Sequence, residues 1–275
     1  MKMKKFGAIV LAGLMAVSLV GCGGNSSSKN EEKTYIIATD KTYPPFEMED
    51  DSGKLVGVDM DLIRAIAKDQ KFKIKINSLG FDAACTALES GEADGVIAGM
   101  SINDERKQKY DFSDQYYETG VSMGVAKKSG IKGYADLKGK TVVAKTSTAG
   151  LKYAQSIKDK YGFKLEVVEE STFMFEKVKS GEAAACFEDY PVLKYMVKTG
   201  QLNFDIPCGK ESPANYGFAV LKGENKELLK KFNKGLANLK KDGTYDKIVV
   251  RYVATTVPPF FTYSFNHSPA SLDTA

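Results

Sequence analysis

Short apolar runs and helix-length amphipathic stretches alternate along this chain, and the alternation is written twice. From Tyr35, YIIATDKT opens a series that reads extended over residues 35–39, helical over 59–69, extended over 73–77, helical over 81–90 and extended over 95–98. From Thr141, TVVAKTST opens the same series: extended over 141–145, helical over 151–160, extended over 164–168, helical over 172–180 and extended over 183–187. The copies carry matching units, ALESGEADGVIAG from Ala87 and KVKSGEAAACFED from Lys177, about ninety residues apart. A fixed internal period reports a repeated supersecondary structure. Each copy reads β-α-β-α-β, which predicts two α/β lobes with parallel sheets and a ligand beyond the carboxyl ends of their strands.

The segments between and after the copies complete this plan. DFSDQYYETGVSMGV from Asp111 runs from a polar turn into an extended stretch and reads as a first crossing between lobes. ESPANYGFAV from Glu211, punctuated by Pro213 and Gly217, reads as the second. Lobe one is then expected to comprise residues 34–116 and 217–252, and lobe two residues 121–211. Between residues 225 and 252 the pattern is helical, and Leu228, Leu229, Phe232, Leu236, Leu239, Tyr245 and Ile248 form an apolar stripe expected to dock onto lobe one.

The two ends follow different rules. Lys2, Lys4 and Lys5 precede an apolar run over residues 6–20, too short for a stable membrane span, which reads as an export signal. It closes in Leu19-Val20-Gly21-Cys22, which resembles the lipobox of bacterial lipoproteins. Residues 1–22 are then a lipoprotein signal in which Cys22 becomes the lipidated first residue of the mature chain. An ordinary secretory signal with an incidental cysteine is the plainer alternative. Residues 23–33, GGNSSSKNEEK, read as a flexible tether. Residues 253–275 carry no Lys, Arg or Glu and read as a disordered or readthrough tail with no assigned role.

Composition narrows the function classes. With 275 residues, 43% of them hydrophobic, the chain can bury one large core or two modest ones. The formal net charge of +4 includes signal-peptide lysines and does not argue for a nucleic-acid partner. One histidine, and three cysteines beyond Cys22 without CxxC spacing, argue against a metal site, and no cofactor motif is present. Cys186 and Cys208 fall in one expected lobe, where a disulfide and a pair of small buried thiols are both open readings.

Three strings carry a specific resemblance: ATDKTYPPFEMEDDSGKLVGVDMDLIRAIAK, GMSINDERKQKYDFSDQYY and KKDGTYDKIV. In this order they resemble the polar amino-acid-binding proteins of bacterial ABC importers, over about residues 34–252. The resemblance implies the two-lobed periplasmic-binding-protein-like fold of type II, with two hinge crossings. It further implies a monomer that clasps one amino acid and delivers it to a membrane permease and its ATPase. With the lipobox, it places the chain outside the cell membrane on a lipid anchor.

The resemblance also assigns roles that the chemistry of the residues can support. Arg106 matches the position that grips the ligand's α-carboxylate, for which a planar guanidinium fork is suited. Gly99 and Ser101 match positions that hold the amine and carboxylate, and Asp189 matches the acid that takes the ammonium. Tyr43 and Phe81 match aromatic positions beside the ligand side chain. Thr146, Thr148 and Ala149 open a helix whose free amides can bind an anion, though a helix cap explains Thr148 equally well. A zwitterion held between positive Arg106 and negative Asp189 favours closure of the lobes.

Ligand choice rests on Asp40 and Lys145, at equivalent strand ends of the two copies. In glutamine binders of this family, matching positions carry an acid and a lysine that accept from and donate to the side-chain amide. Lys145 in the cleft repels cationic ligands, and Asp40 disfavours glutamate. Glu188 departs from that pattern; facing inward, it would readmit a cation. Glutamine is therefore the first expectation, with arginine, lysine or cystine as alternatives. A dehydratase using a cleft carboxylate, or the binding domain of a sensor, are further readings, but neither nucleophile with base nor signalling module is visible.

Overall fold

Each copy of the repeat builds three parallel strands. In the computed structural model, which describes residues 33–253, strand Thr34–Thr39 lies between Lys73–Ser78 and Gly95–Val96, parallel to both. In the second copy Thr141–Lys145 lies between Lys164–Val168 and Ala185–Asp189, again parallel. Helices Val58–Asp69 and Phe81–Glu89 make the connections in the first lobe, and Ala149–Tyr161 and Ser171–Ser180 in the second. Asp59 and Asp61 in the first turn of Val58–Asp69 and Lys68 in its last turn complement the helix dipole. Thr148 caps Ala149–Tyr161 by accepting from Leu151 N, and Gly162 ends that helix in the left-handed region at φ 68°.

The sheets are mixed, where the repeat alone predicts parallel ones. Ala219–Leu221 joins the first sheet antiparallel to Gly95–Val96, and Tyr110–Phe112 pairs antiparallel with it at the edge. Tyr117–Ala126 runs antiparallel to Ala185–Asp189 in the second sheet and also pairs with Glu211–Tyr216 and Phe204–Asp205. The crossings themselves supply these strands. A segment that leaves one lobe and a segment that returns run in opposite directions, so Tyr117 pairs with Tyr216 and Thr119 with Ala214 in one antiparallel hinge ribbon.

The last strand of the second copy also sits later than residues 183–187, because a turn occupies residues 181–184 and strand begins at Ala185. The helical stretch near the C-terminus is two helices, Lys226–Lys241 and Thr244–Val253, separated at Gly243, where φ is 76°. Its stripe packs as expected: Leu228, Phe232, Leu236, Leu239 and Ile248 are buried, and Leu229 and Tyr245 are partly buried against the same core. Phe232 stacks on Phe218 with centroids 4.6 Å apart. Each such side chain contributes about 1.5–3 kcal/mol of apolar burial.

Cys85, Cys186 and Cys208 are free thiols, which decides the open reading of Cys186 and Cys208 against a disulfide. The export signal, Cys22 and all but the last residue of the expected tether lie outside the described residues, as does the tail beyond Val253. Among the described residues no helix is long and apolar enough to cross a membrane.

Candidate functional site

The carboxyl ends of the repeated strands converge on one cleft, as the repeat predicts. From the first lobe, Asp40 follows strand Thr34–Thr39, Phe81 opens its helix, Ala98, Gly99 and Ser101 follow Gly95–Val96, and Arg106 opens the short helix Arg106–Lys109. Tyr43 comes from a three-stranded flap of Thr42–Tyr43, Glu47–Glu49 and Leu55–Val56. From the second lobe, Lys145 and Asp189 end their strands, while Thr148 and Ala149 begin a helix. Together these residues line one narrow cleft, with a free volume of only about 20 Å³.

Asp40 and Lys145 meet directly. Lys145 Nζ lies 2.5 Å from Asp40 Oδ2, and both side chains are 2% exposed. The other oxygen, Asp40 Oδ1, accepts from Lys41 N at 2.7 Å and from Thr42 N and Oγ1 at 3.2 and 3.1 Å. Burial pushes the Asp40 carboxyl up, but Lys145 and these donors outweigh it and hold the group below its ordinary value. The pair joins the two lobes through a contact with no net charge.

Arg106 is held in a fixed plane. Its Nη1 donates to Ser101 O at 2.7 Å, its Nη2 donates to Ser147 O in the second lobe at 2.9 Å, and its guanidinium carbon lies 5.1 Å from the Phe81 ring centroid. Gly99 donates its N–H to Asp59 Oδ2 at 2.8 Å. Its φ is 51°, and a Cβ there would lie 2.5 Å from Tyr43 Cε1, so the position requires glycine. Thr148 Oγ1 donates to Lys145 O at 2.7 Å and accepts from Leu151 N at 3.2 Å, so it is a helix cap that also lines the cleft. Thr146 donates its amide to Val168 O and is absent from the lining, which removes it from the anion-binding trio.

Asp189 closes the opposite side. Thr119 Oγ1 donates to its Oδ2 at 3.1 Å, and the Tyr216 hydroxyl donates to the same oxygen. Burial raises this carboxyl above its ordinary value, and the Tyr216 bond works against the rise. Glu188 precedes Asp189 on the strand and therefore points to the other face of the sheet. It accepts from Ser171 Oγ at 3.2 Å and from Asp189 N at 2.8 Å, and it is not among the cleft-lining residues. Burial, then the charge of Asp189, push its carboxyl up.

Three features were invisible to the repeat. Tyr216 and Thr119 lie on the hinge ribbon, which has no counterpart in either copy. Behind Gly99, Glu47 and Asp59 form a buried carboxyl pair. Among the described residues neither Glu47 oxygen nor Asp59 Oδ1 has a donor, while Asp59 Oδ2 accepts from Gly99 N and Tyr116 Oη, each at 2.8 Å. Burial raises both carboxyls, Asp59 to about 6 and Glu47 well above its ordinary value. The signal available was the acid at the apolar start of a helix, in VDMD. Among the described residues no cluster of three His, Cys, Asp or Glu side chains is arranged to hold a metal.

Residues 35–255 match the bacterial extracellular solute-binding proteins, family 3. The chain is 33% identical over 249 residues to the arginine-binding extracellular protein ArtP of Bacillus subtilis, covering 90% of this chain and 96% of that protein. An ancestral arginine-binding protein bound to glutamine is 39% identical and superposes with a TM-score of 0.74, covering 81% of this chain and 98% of that one. Substrate-binding domain 2 of Lactococcus lactis GlnP in an open conformation is 40% identical, with a TM-score of 0.58 over 82% of this chain and 98% of that one.

Proposed function

Because this chain belongs to the bacterial extracellular solute-binding proteins of family 3, we propose that it captures a polar L-amino acid, glutamine first, and delivers it to an ABC transporter permease. The observation that carries this reading is the cleft in which Arg106 of one lobe faces Asp189 of the other beside the Asp40–Lys145 pair. Arg106 offers two parallel donors to an α-carboxylate, and Asp189 an acceptor to an α-ammonium. Asp40 and Lys145 neutralise one another, so this part of the cleft offers one acceptor and one donor group without net charge. An uncharged amide side chain satisfies both. A guanidinium meets the lysine, and a second carboxylate meets the aspartate.

Residues 34–116 with 217–252 act as one lobe and residues 121–211 as the other, closing about the hinge ribbon. The unequal superposition of two relatives of nearly equal identity supports a closed arrangement: the glutamine-bound relative fits better than the open one. The protein works as a monomer without a cofactor, held to the outer face of the cell membrane through Cys22. The relatives named above are binding proteins, which argues against a dehydratase. Arginine is the second reading, favoured by the similarity to ArtP. Calorimetric titration of the protein with each of the twenty amino acids tests both. Glutamine as the tightest ligand supports the first reading, arginine the second, and heat from none of them rejects both.

A further inference from the structure

Tyr216 stands at the junction of both lobes and the hinge. Its hydroxyl donates to Asp189 Oδ2 in one lobe and lies 3.2 Å from the hydroxyl of Tyr43, in the flap of the other. Thr119, on the opposing hinge strand, brings its Oγ1 to 3.2 Å from the same hydroxyl and to 3.1 Å from Asp189 Oδ2. The Tyr216 ring has no freedom to turn away. It packs edge-on against Phe46 at 5.0 Å, stacks on Tyr117 at 5.9 Å, and is 0% exposed.

Both hinge hydroxyls therefore bind the same oxygen of Asp189. A carboxylate with two donors on one oxygen cannot rotate freely about its last torsion, and its second oxygen is aimed by that constraint. We propose that Tyr216 is a positioning residue for ligand capture: it fixes Asp189 Oδ2 so that Oδ1 receives the ligand's ammonium. Because its hydroxyl meets groups of both lobes, the full set of bonds forms only when the lobes are closed. Closure thus completes the ammonium site as well as enclosing it. This inference rests on the amino-acid-binding reading above. It adds a residue that does not line the cleft and acts through one that does.

Tyr216→Phe in the full chain tests it, because the ring packing is kept and only the hydroxyl is lost. Affinity for the tightest-binding of the twenty amino acids is measured by calorimetry between pH 4 and pH 8. At pH 7 the variant is expected to bind roughly tenfold more weakly, the scale of a lost hydrogen bond to a charged group. The pH below which binding is lost is expected to move upward, because the bond favours the ionised form of Asp189. Arg106, Tyr43 and Thr119 also face Asp189, Glu188 adjoins it along the strand, and all four are unchanged in the variant, so the displacement reads the hydroxyl. Weaker binding with an unmoved acid limit would mean that the hydroxyl does not act through Asp189 and would overturn the proposal, as would affinity within twofold of the parent. If Tyr216→Phe does not fold, Thr119→Val removes the other donor to Oδ2 and must show the same upward displacement; an unmoved limit there is equally fatal. A parent chain that binds none of the twenty overturns the functional reading, and this inference with it.

Discussion

Ser147 of the second lobe donates its hydroxyl to Asp82 Oδ1 of the first at 2.5 Å while holding its own backbone in the left-handed region, at φ 59°. The conformation costs a non-glycine residue about 1 kcal/mol, and the same residue presents its carbonyl to Arg106. Ser147→Gly removes the strain and the hydroxyl but keeps the carbonyl. The relief is offset by the greater freedom of glycine in the unfolded chain, roughly 0.5–1 kcal/mol, so little change in melting temperature is expected. Ligand should leave roughly threefold faster, since an exposed hydrogen bond contributes about 0.5–1 kcal/mol to closure. Stopped-flow dissociation rates check this, and an unchanged rate would mean that the contact does not hold the lobes together.

Arg106→Ala and Asp189→Ala should each abolish useful amino-acid binding while the protein still unfolds cooperatively. Truncating one partner of a desolvated charge pair costs about 2–5 kcal/mol. Calorimetry on each variant is the check, and near-parental affinity in either one removes that residue from the site.

Lys145→Leu should weaken glutamine relative to arginine. The substitution deletes a donor and a repulsive cation, and it leaves Asp40, 2% exposed, as an unbalanced carboxylate in the cleft. An arginine side chain can supply the lost charge, whereas glutamine cannot. Competition between the two ligands measures the ratio; if it stays constant, Lys145 does not read the side chain.

Asp59 makes the stability depend on pH. Its carboxyl titrates near 6 in the folded chain, above its ordinary value of 3.8. Between those values the folded state holds a proton that the unfolded state releases. Stability therefore falls as pH rises through that window, by a total on the order of 3 kcal/mol, and the penalty is complete above it. Asp59→Asn carries no such penalty, and its amide can donate to Glu47. The melting temperature of the variant minus that of the parent should grow between pH 4 and pH 6. A difference that stays flat across this range would refute the assignment.

Cys22→Ser should release the protein from membranes without altering its affinity, because the tether precedes both lobes in the sequence. Fractionation with calorimetry on the released protein tests the two halves separately. Continued membrane association would reject lipid anchoring at this residue.

Much of the fold was legible because strands and helices alternate with clean periods. Thr141–Lys145 and Lys164–Val168 match the sequence reading residue for residue, and most other limits moved by one or two. The repeat also pointed to Asp40, Lys145 and Asp189 as strand-end residues on a shared cleft. That Asp40 and Lys145 touch was not legible, since their separation depends on how the lobes meet and not on either copy. Tyr216 and Thr119 were hidden for a related reason: their partners are set by antiparallel pairing of two segments distant in sequence. Glu47 and Asp59 run against the rule that carboxylates stay at the surface, so nothing in composition marks them as buried.

The repeat that builds the cleft is useful only because it is imperfect. Asp40 and Lys145 stand at the carboxyl ends of equivalent strands in the two copies and carry opposite charges. A protein assembled from two identical halves would set aspartate against aspartate, or lysine against lysine, at this contact and would drive its lobes apart. It would also present the same face to both ends of its ligand, whereas an amino acid has a head and a tail. The halves of this molecule are therefore not interchangeable, and a chimera carrying two first halves would lose the ability to shut before it lost the ability to fold.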